Sequence, residues 1–332
     1  MLLKRTIYLG YYLKQMKWSL LKEFLSYTSK LTGKSKSHLL LASIRDVYKY
    51  NISILEYFQF GFYNKTQETK EEWAGTGTMY EFQKIANPPN ERIILDDKRL
   101  FYKKYKEFFI HDLYSLEELK QNLTIIDALL TKEKKVVLKE ASGKCGAGVK
   151  ICHTANLNSE RLLEMMQEGE FDILETYINQ HSLIQELSPS AVNTVRIFTQ
   201  IRKGGQYEVL GCRIRISVNC EVDNLAAGNL AAPIDEKTGK IIGAGIYSNF
   251  TQAPEAIHPI TKTPIVGFQI PYWEEILSMV KEASLKHPQN RSIGWDVVLT
   301  ENGPGLLEGN HDWCKLVWQL PVNKGLKYRL DV

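Results

Sequence analysis

The sequence has few cysteines and no long hydrophobic run. Its five cysteines are odd in number and form no C-x-x-C pair, which argues against a disulfide framework or a zinc site and fits a reducing compartment. No apolar run approaches the ~18 residues that a membrane-spanning helix needs. Lysines and arginines interrupt the first 20 residues, so these do not resemble a secretory signal. We therefore expect a cytoplasmic protein.

Positive charge is concentrated at one end of an otherwise ordinary globular composition. Residues 1–50 contain ten Lys or Arg against only Glu23 and Asp46, a local charge of +8 within a total of +4. This asymmetry predicts an anionic partner, such as a peripheral contact with the inner membrane face, a pyrophosphate-linked carrier or nucleic acid. A solvated helical face explains it equally well. No RNA-binding motif is present, so we do not expect nucleic acid.

The periodicity divides the chain into a helical part and a mixed part. Apolar residues at helical spacing predict one amphipathic helix over residues 9–24, and more helix over 37–62. Pro88 and Pro89 indicate a linker, so residues 1–90 form a helical N-terminal region. Mixed strands and helices after it predict the α+β class. The predicted strands cover residues 136–139, 149–152, 172–177, 194–201, 208–218, 294–300 and 305–310.

The last two predicted strands flank an Asn-Gly pair, which predicts a hairpin. Folding the chain about Asn302 sets Asp296 opposite Glu308, and alternation puts Asn310 on the same face. Facing carboxylates repel each other, so the pair either lies in water or holds a cation between its members. Mg2+ prefers such oxygen ligands together with phosphate oxygens.

Two other groups of residues are suited to anions. A strand ending at Lys139 runs into a Gly-rich segment, 140–149, whose backbone amides can approach a phosphate closely. It is neither a Walker A loop nor a dinucleotide-binding fingerprint, and a Gly-rich hairpin tip without a ligand is the alternative. Arg213 and Arg215 share one strand face and Arg196 lies in another strand, where they either grip an anion or form surface ion pairs.

In this order the segments resemble the ATP-grasp superfamily, and most closely its sugar-transfer-associated branch, over residues 93–322. That fold has two α+β subdomains that grip ATP, here expected over residues 91–178 and 179–332. The resemblance assigns the nucleotide to Lys98, Lys139, the loop residues Ser142, Gly143, Lys144, Gly146 and Gly148, and the hinge residues Glu175, Tyr177 and Ile178. It assigns Mg2+ to Asp296, Glu308 and Asn310. The ribose ligand is open between Glu186 and Asn193.

The resemblance implies an ATP- and Mg2+-dependent carboxylate–amine ligase that works through an acylphosphate, with Arg196, Arg213 or Arg215 holding that intermediate. Its substrates would be small or carrier-linked, such as a sugar and an amino acid in surface polysaccharide synthesis. Two alternatives remain. One is a kinase that phosphorylates a hydroxyl group, and the other is a nucleotide-binding protein without turnover.

Overall fold

The computed structural model describes residues 2–143, 148–220 and 224–331. Helices and two antiparallel sheets build these ranges, which confirms the predicted α+β class. Within them, no helix combines the length and the apolar character needed to cross a bilayer.

Helices alone form the N-terminal part of the chain. They are α1 (Leu2–Lys14), α2 (Trp18–Thr32), α3 (Lys36–Tyr50), α4 (Ile54–Gln59), α5 (Gln67–Glu71), α6 (Thr76–Ala86), α7 (Pro89–Asp96) and α8 (Lys98–Tyr105). The single helix expected over residues 9–24 is wrong, because the chain changes direction at Lys17. This break lets Tyr12 from α1 and Phe24 from α2 pack in one core.

The expected linker at Pro88 and Pro89 also needs correction. Pro89 is the first residue of α7, a position that has no need of a backbone N–H and suits the fixed φ of proline. The helix therefore spans the boundary that the sequence suggested at residue 90. The two prolines separate α6 from α7 without opening a long linker.

The first sheet has four strands and follows the N-terminal helices. Its strands are β1 (Leu113–Ser115), β2 (Lys135–Lys139), β3 (Val149–His153) and β4 (Ile173–Thr176), in the order β1-β4-β2-β3. The helices α9 (Leu116–Gln121), α10 (Leu123–Lys132) and α11 (Ser159–Glu168) belong to the same unit. Ser115 and Glu118 close a capping box at the start of α9.

The second sheet has five strands and contains the hairpin. Its strands are β5 (Val195–Ile201), β6 (Tyr207–Ile216), β7 (Leu230–Ile234), β8 (Ser292–Thr300) and β9 (Gly303–Asn310), in the order β7-β6-β5-β8-β9. The helices α12 (Ser182–Leu187), α13 (Trp273–Lys286) and α14 (Lys315–Gln319) accompany it. Buried residues of these strands and of α13 form one core with Phe101 and Tyr105 of α8.

The N-terminal helices pack against the segments around the second sheet. Phe24 is fully buried, and its ring centroid lies 4.6 Å from that of Phe250. The Gln319 side chain accepts from the amide N of Ala74 at 3.0 Å and donates to the Ala74 carbonyl at 2.9 Å. These contacts make the N-terminal region a supporting layer for the segments that follow β7 and β9.

Candidate active site

The hairpin β8–β9 brings the two predicted acids together. Asp296 pairs with Glu308 in the ladder, and Asn310 lies two residues further along the same strand. The turn is a two-residue loop, Glu301 and Asn302, and Gly303 follows it with a φ of +114°. A register shift after Asp296 moves the pairing back by one residue, so the two acids meet as predicted.

Arginines already neutralise one of the two acids. Arg196 Nε and Nη2 donate to the Asp296 carboxylate at 2.5 and 2.7 Å, and Arg215 Nη2 donates to it at 3.0 Å. Burial opposes ionisation of Asp296, but the two guanidinium groups outweigh it and lower its pKa to about 2. The expectation that the two acids either lie in water or hold a cation between them is corrected, because the protein itself supplies positive charge beside Asp296.

Glu308 has no comparable neutralisation. Asn310 Nδ2 donates to its Oε1 at 3.1 Å, which is a neutral contact. Burial and the adjacent Asp296 carboxylate both raise the Glu308 pKa. A divalent cation bound at Glu308 would relieve both effects.

The donor set at the hairpin therefore fits Mg2+. Two carboxylates and one amide oxygen are hard ligands, and Mg2+ completes its shell with water and phosphate oxygens rather than with a protein cage. Within residues 2–143, 148–220 and 224–331, no group of three or more His, Cys, Asp or Glu side chains is arranged to hold a metal ion.

A cavity of about 240 Å³ opens beside this cluster. It is lined by Lys98, Gly143, Arg196, Arg215, Glu308 and Asn310, together with residues that the sequence did not indicate: Asn224, Leu225, Ala226, Ser248, His311, Asp312 and Trp313. The second group comes from irregular segments after β6, β7 and β9, where periodicity carries no signal. Only the folded sheet brings these segments to one place.

Arg213 does not line this cavity. Its guanidinium donates to the Trp318 carbonyl at 2.5 and 3.1 Å and to the Cys212 carbonyl at 2.7 Å. The side chain is buried, and burial lowers its pKa to about 10. Arg213 thus anchors the segment after β9. The expectation that it holds the intermediate, as Arg196 or Arg215 would, is not supported by this geometry.

Lys98 is held against the base of the Gly-rich loop. Its amide N donates to the Ala141 carbonyl at 3.0 Å, and its Nζ donates to the Gly143 carbonyl at 2.5 Å. Burial lowers the pKa of this lysine. Ser142 is exposed beside it, and Gly148, with a φ of +68°, closes the far end of the loop. The predicted loop residues Lys144 and Gly146 lie outside the described residues.

The first sheet holds the second lysine in a buried ion pair. Lys139 Nζ lies 2.5 Å from Glu175 Oε2, and His111, which the sequence did not indicate, lies 3.7 Å from the same oxygen. Burial opposes ionisation of Glu175, but Lys139 and His111 outweigh it and lower its pKa. Tyr177 and Ile178 follow β4 directly, and the Tyr177 ring contacts Lys135 at 5.0 Å.

The two candidates for the ribose differ in how their side chains are used. Asn193 is buried. Its side-chain Nδ2 donates to Gln180 Oε1 and to the carbonyls of Ser188 and Ala191, and its Oδ1 accepts from the backbone N of Ser217. This network fixes the loop before β5 and leaves Asn193 little capacity for a ligand. The Glu186 side chain is exposed on α12.

A model of the sugar-transfer-associated ATP-grasp family matches residues 78–332. The chain belongs to this family. The predicted resemblance to this family is thereby confirmed, and the matched range includes both sheets and the hairpin acids. No curated protein matches the chain.

Several solved structures are similar to this family member at low identity. One is the D-alanine–D-alanine ligase from Helicobacter pylori, with 12% identity, a TM-score of 0.42, and coverage of 72% of this chain and 60% of that one. The ATP-grasp ligase PsnB has 10% identity, a TM-score of 0.44 and coverage of 74% and 61%. The biotin carboxylase domain from Hydrogenobacter thermophilus, in complex with MgADP, has 16% identity, a TM-score of 0.40 and coverage of 70% and 46%. The chain spans about half to three-fifths of their length.

Proposed function

We propose that this ATP-grasp protein is an ATP-dependent ligase that joins a carboxylate to an amine. The observation that supports it most is the hairpin cluster of Asp296, Glu308 and Asn310 beside a cavity that Lys98 and Arg196 also line. Glu308, which the protein does not neutralise, suits a cation. The fixed positive charge of Lys98 and Arg196 suits an anion. That combination suits a site where a triphosphate meets a carboxylate.

The first chemical step would join two anions. A carboxylate oxygen of the substrate attacks the γ-phosphorus of ATP, the bond to the bridging oxygen breaks, and ADP leaves. Mg2+ held by Asp296, Glu308 and Asn310 would supply neutralisation of the phosphate charge. Lys98, pinned to the loop base by two carbonyls, would hold the phosphates, and the loop would exclude water.

The second step would release phosphate from the acylphosphate. The amine nitrogen attacks the acyl carbon, the carbon–oxygen bond to phosphate breaks, and the nitrogen loses a proton. Arg196 and Arg215 line the cavity next to the hairpin, so their guanidinium groups are suited to the developing oxyanion. Asp296 orients both of them, and loss of such a donor typically costs ~3–4 kcal/mol in barrier height.

The polar lining of the cavity bears on the class of substrate. Asn224, Ser248 and Asp312 supply polar groups along its wall, which suits a hydroxylated molecule. We therefore infer that one substrate is a sugar or an amino acid, in keeping with the sugar-transfer association in the family name.

The finer setting of the reaction is part of the same proposal. A product of this kind would serve surface polysaccharide synthesis, and the protein would work in the cytoplasm near the inner membrane face. The +8 charge of residues 1–50 supports a meeting with an anionic carrier or surface there.

The test is ADP release from MgATP with a panel of sugar acids and amino acids offered in pairs. We expect one class of pair to stimulate ADP release well above the background of the Glu308→Gln variant. Mass spectrometry of the product then identifies an amide, whose mass is the sum of both substrates less water. A phosphate ester instead would favour a kinase, and MgATP binding without turnover on any pair would contradict the ligase.

A further inference from the structure

Helix α1 exposes an apolar face although the helix is firmly attached. Leu3, Ile7 and Tyr11 are 77%, 63% and 59% exposed. Their spacing of four residues places them along one side of the helix, and we call them the outer stripe. Exposed apolar groups arranged in this way indicate a surface that contacts something else.

The opposite side of α1 explains why the outer stripe faces outward. Tyr12 is buried in the core shared with α2 and α3. Arg5, also on that side, donates to the Tyr48 carbonyl of α3, while Lys4, on the flank of the outer stripe, has its Nζ 2.8 Å from Glu81 Oε1 of α6. Both charged side chains therefore fix the rotation of the helix about its axis.

Positive charge and an interfacial aromatic side chain adjoin the outer stripe. Lys14 and Lys17 are exposed where α1 gives way to α2, and Trp18 is 56% exposed next to them. Tryptophan is enriched at the boundary between lipid and water because its ring is apolar and its N–H is polar. The surface thus joins an apolar stripe, an interfacial ring and cationic groups.

A basic groove lies beneath the same helix. Its volume is about 610 Å³, and Arg5, Lys49, Lys70 and Lys327 line it together with the acids Glu71 and Glu81. Lys4 pairs with Glu81 and Lys70 with the buried Asp46, so Arg5, Lys49 and Lys327 carry the remaining positive charge of the groove against Glu71. Arg5 lies on the side of α1 away from the outer stripe, so this groove does not extend the surface of the stripe.

We propose that the outer stripe docks helix α1 into the interface of an anionic lipid bilayer. The apolar side chains enter the boundary between headgroups and acyl chains, while Lys14 and Lys17 meet the lipid phosphates. The exposed lysines at one end of the stripe favour an anionic surface as its occupant. This inference rests on the membrane setting proposed above and names the surface that would make the contact, but it does not depend on the ligase chemistry.

Vesicle co-sedimentation of the full chain tests the proposal. The probes are vesicles of pure phosphatidylcholine and vesicles that contain about one-third phosphatidylglycerol, each at low and high NaCl. Point substitutions are preferable to removal of residues 1–30, because that removal would strip Leu21 and Phe24 from the core. The test variant is Leu3→Ser with Ile7→Ser and Tyr11→Ser, and a second variant is Lys14→Glu with Lys17→Glu.

The matched control replaces three exposed apolar residues elsewhere, Ile242→Ser, Ile260→Ser and Tyr328→Ser. We expect the wild type and this control to bind the anionic vesicles in a salt-sensitive manner. Both test variants should bind at least tenfold more weakly, with melting temperatures unchanged. Unchanged binding by the stripe variant, or equal binding of the wild type to both vesicle types, would overturn the proposal. So would loss of a wild-type dimer in the stripe variant without loss of vesicle binding.

Discussion

Two glutamates, Glu56 buried in the N-terminal helical layer and Glu308 half-buried in the hairpin, have opposite surroundings in the fold. Glu56 accepts from the amide N of Ser53 and of Thr76, from the Thr76 hydroxyl at 2.6 Å and from Lys315 Nζ at 2.9 Å. Burial opposes its ionisation, but Lys315 and these donors lower its pKa. Glu308 has the Asn310 amide and faces Asp296, and its pKa is raised.

The difference distinguishes a structural acid from a functional one. The donors around Glu56 meet the demands of both its oxygens, so the residue ties α4 and α6 to the start of α14. The negative charge of an ionised Glu308 receives little compensation from the surrounding protein. A polar group of that kind is what a metal site requires before its ion arrives.

Asp296→Asn is expected to have the largest effect, because it removes the negative charge that Arg196 and Arg215 share. Loss of one partner of a buried pair typically destabilises a protein by ~3–5 kcal/mol. Urea unfolding should report that loss, and ADP release should disappear as well. Unfolding indistinguishable from wild type would contradict the pairing.

Glu308→Gln should reduce turnover about 10²–10³-fold without reducing stability. Glutamine resembles the protonated acid that the raised pKa favours, and it removes the repulsion with Asp296. ADP release and a thermal melt of the same preparation measure the two effects. Parallel loss of activity and stability would count against a functional role for this acid.

Glu56→Gln should do the reverse. It weakens charged hydrogen bonds that are typically worth ~1.5–3 kcal/mol each, while the hairpin and its cavity stay unchanged. We expect a lower free energy of unfolding and near-normal activity of the folded protein at low temperature. An activity loss as large as that of Glu308→Gln would remove the distinction between the two acids.

The pH dependence of the free energy of unfolding, measured without metal, should have opposite signs for the contributions of Glu56 and Glu308. Glu56 has a lowered pKa, so it adds stability above its unfolded pKa of about 4.3 and loses it as the pH falls. Glu308 has a raised pKa, so it adds stability below that value and loses it as the pH rises. Relative to wild type, Glu56→Gln should therefore become less stable with rising pH and Glu308→Gln more stable. Urea unfolding across pH 3–7 in a chelator checks this, and slopes of one sign would contradict it.

The sequence predicted the hairpin acids because local signals determine them. An Asn-Gly pair and strict alternation set Asp296 opposite Glu308, and the bulge after Asp296 compensates a turn that begins one residue earlier than expected. The strands β1 and β7 were not predicted. The former has three residues, too few for a period, and the latter contains Pro233, which a strand tolerates here because β7 lies at the sheet edge.

Partners distant in the chain could not be predicted. Arg196 reaches Asp296 only because β5 pairs with β8, and Arg215 does so from the next strand over. The β5–β6 ladder sets Arg213 directly opposite Arg196, but the Arg213 guanidinium donates to the Trp318 carbonyl instead of to Asp296. Residue type and spacing indicated the three arginines as candidates, whereas their contacts in the folded chain distinguish their roles.

The most direct measurement is a crystal structure with Mn2+ in place of Mg2+ and a non-hydrolysable ATP analogue. The account predicts an anomalous peak at coordination distance from Asp296, Glu308 and Asn310, with the triphosphate on its other side near Lys98. A metal-free hairpin with the triphosphate bound elsewhere would contradict it.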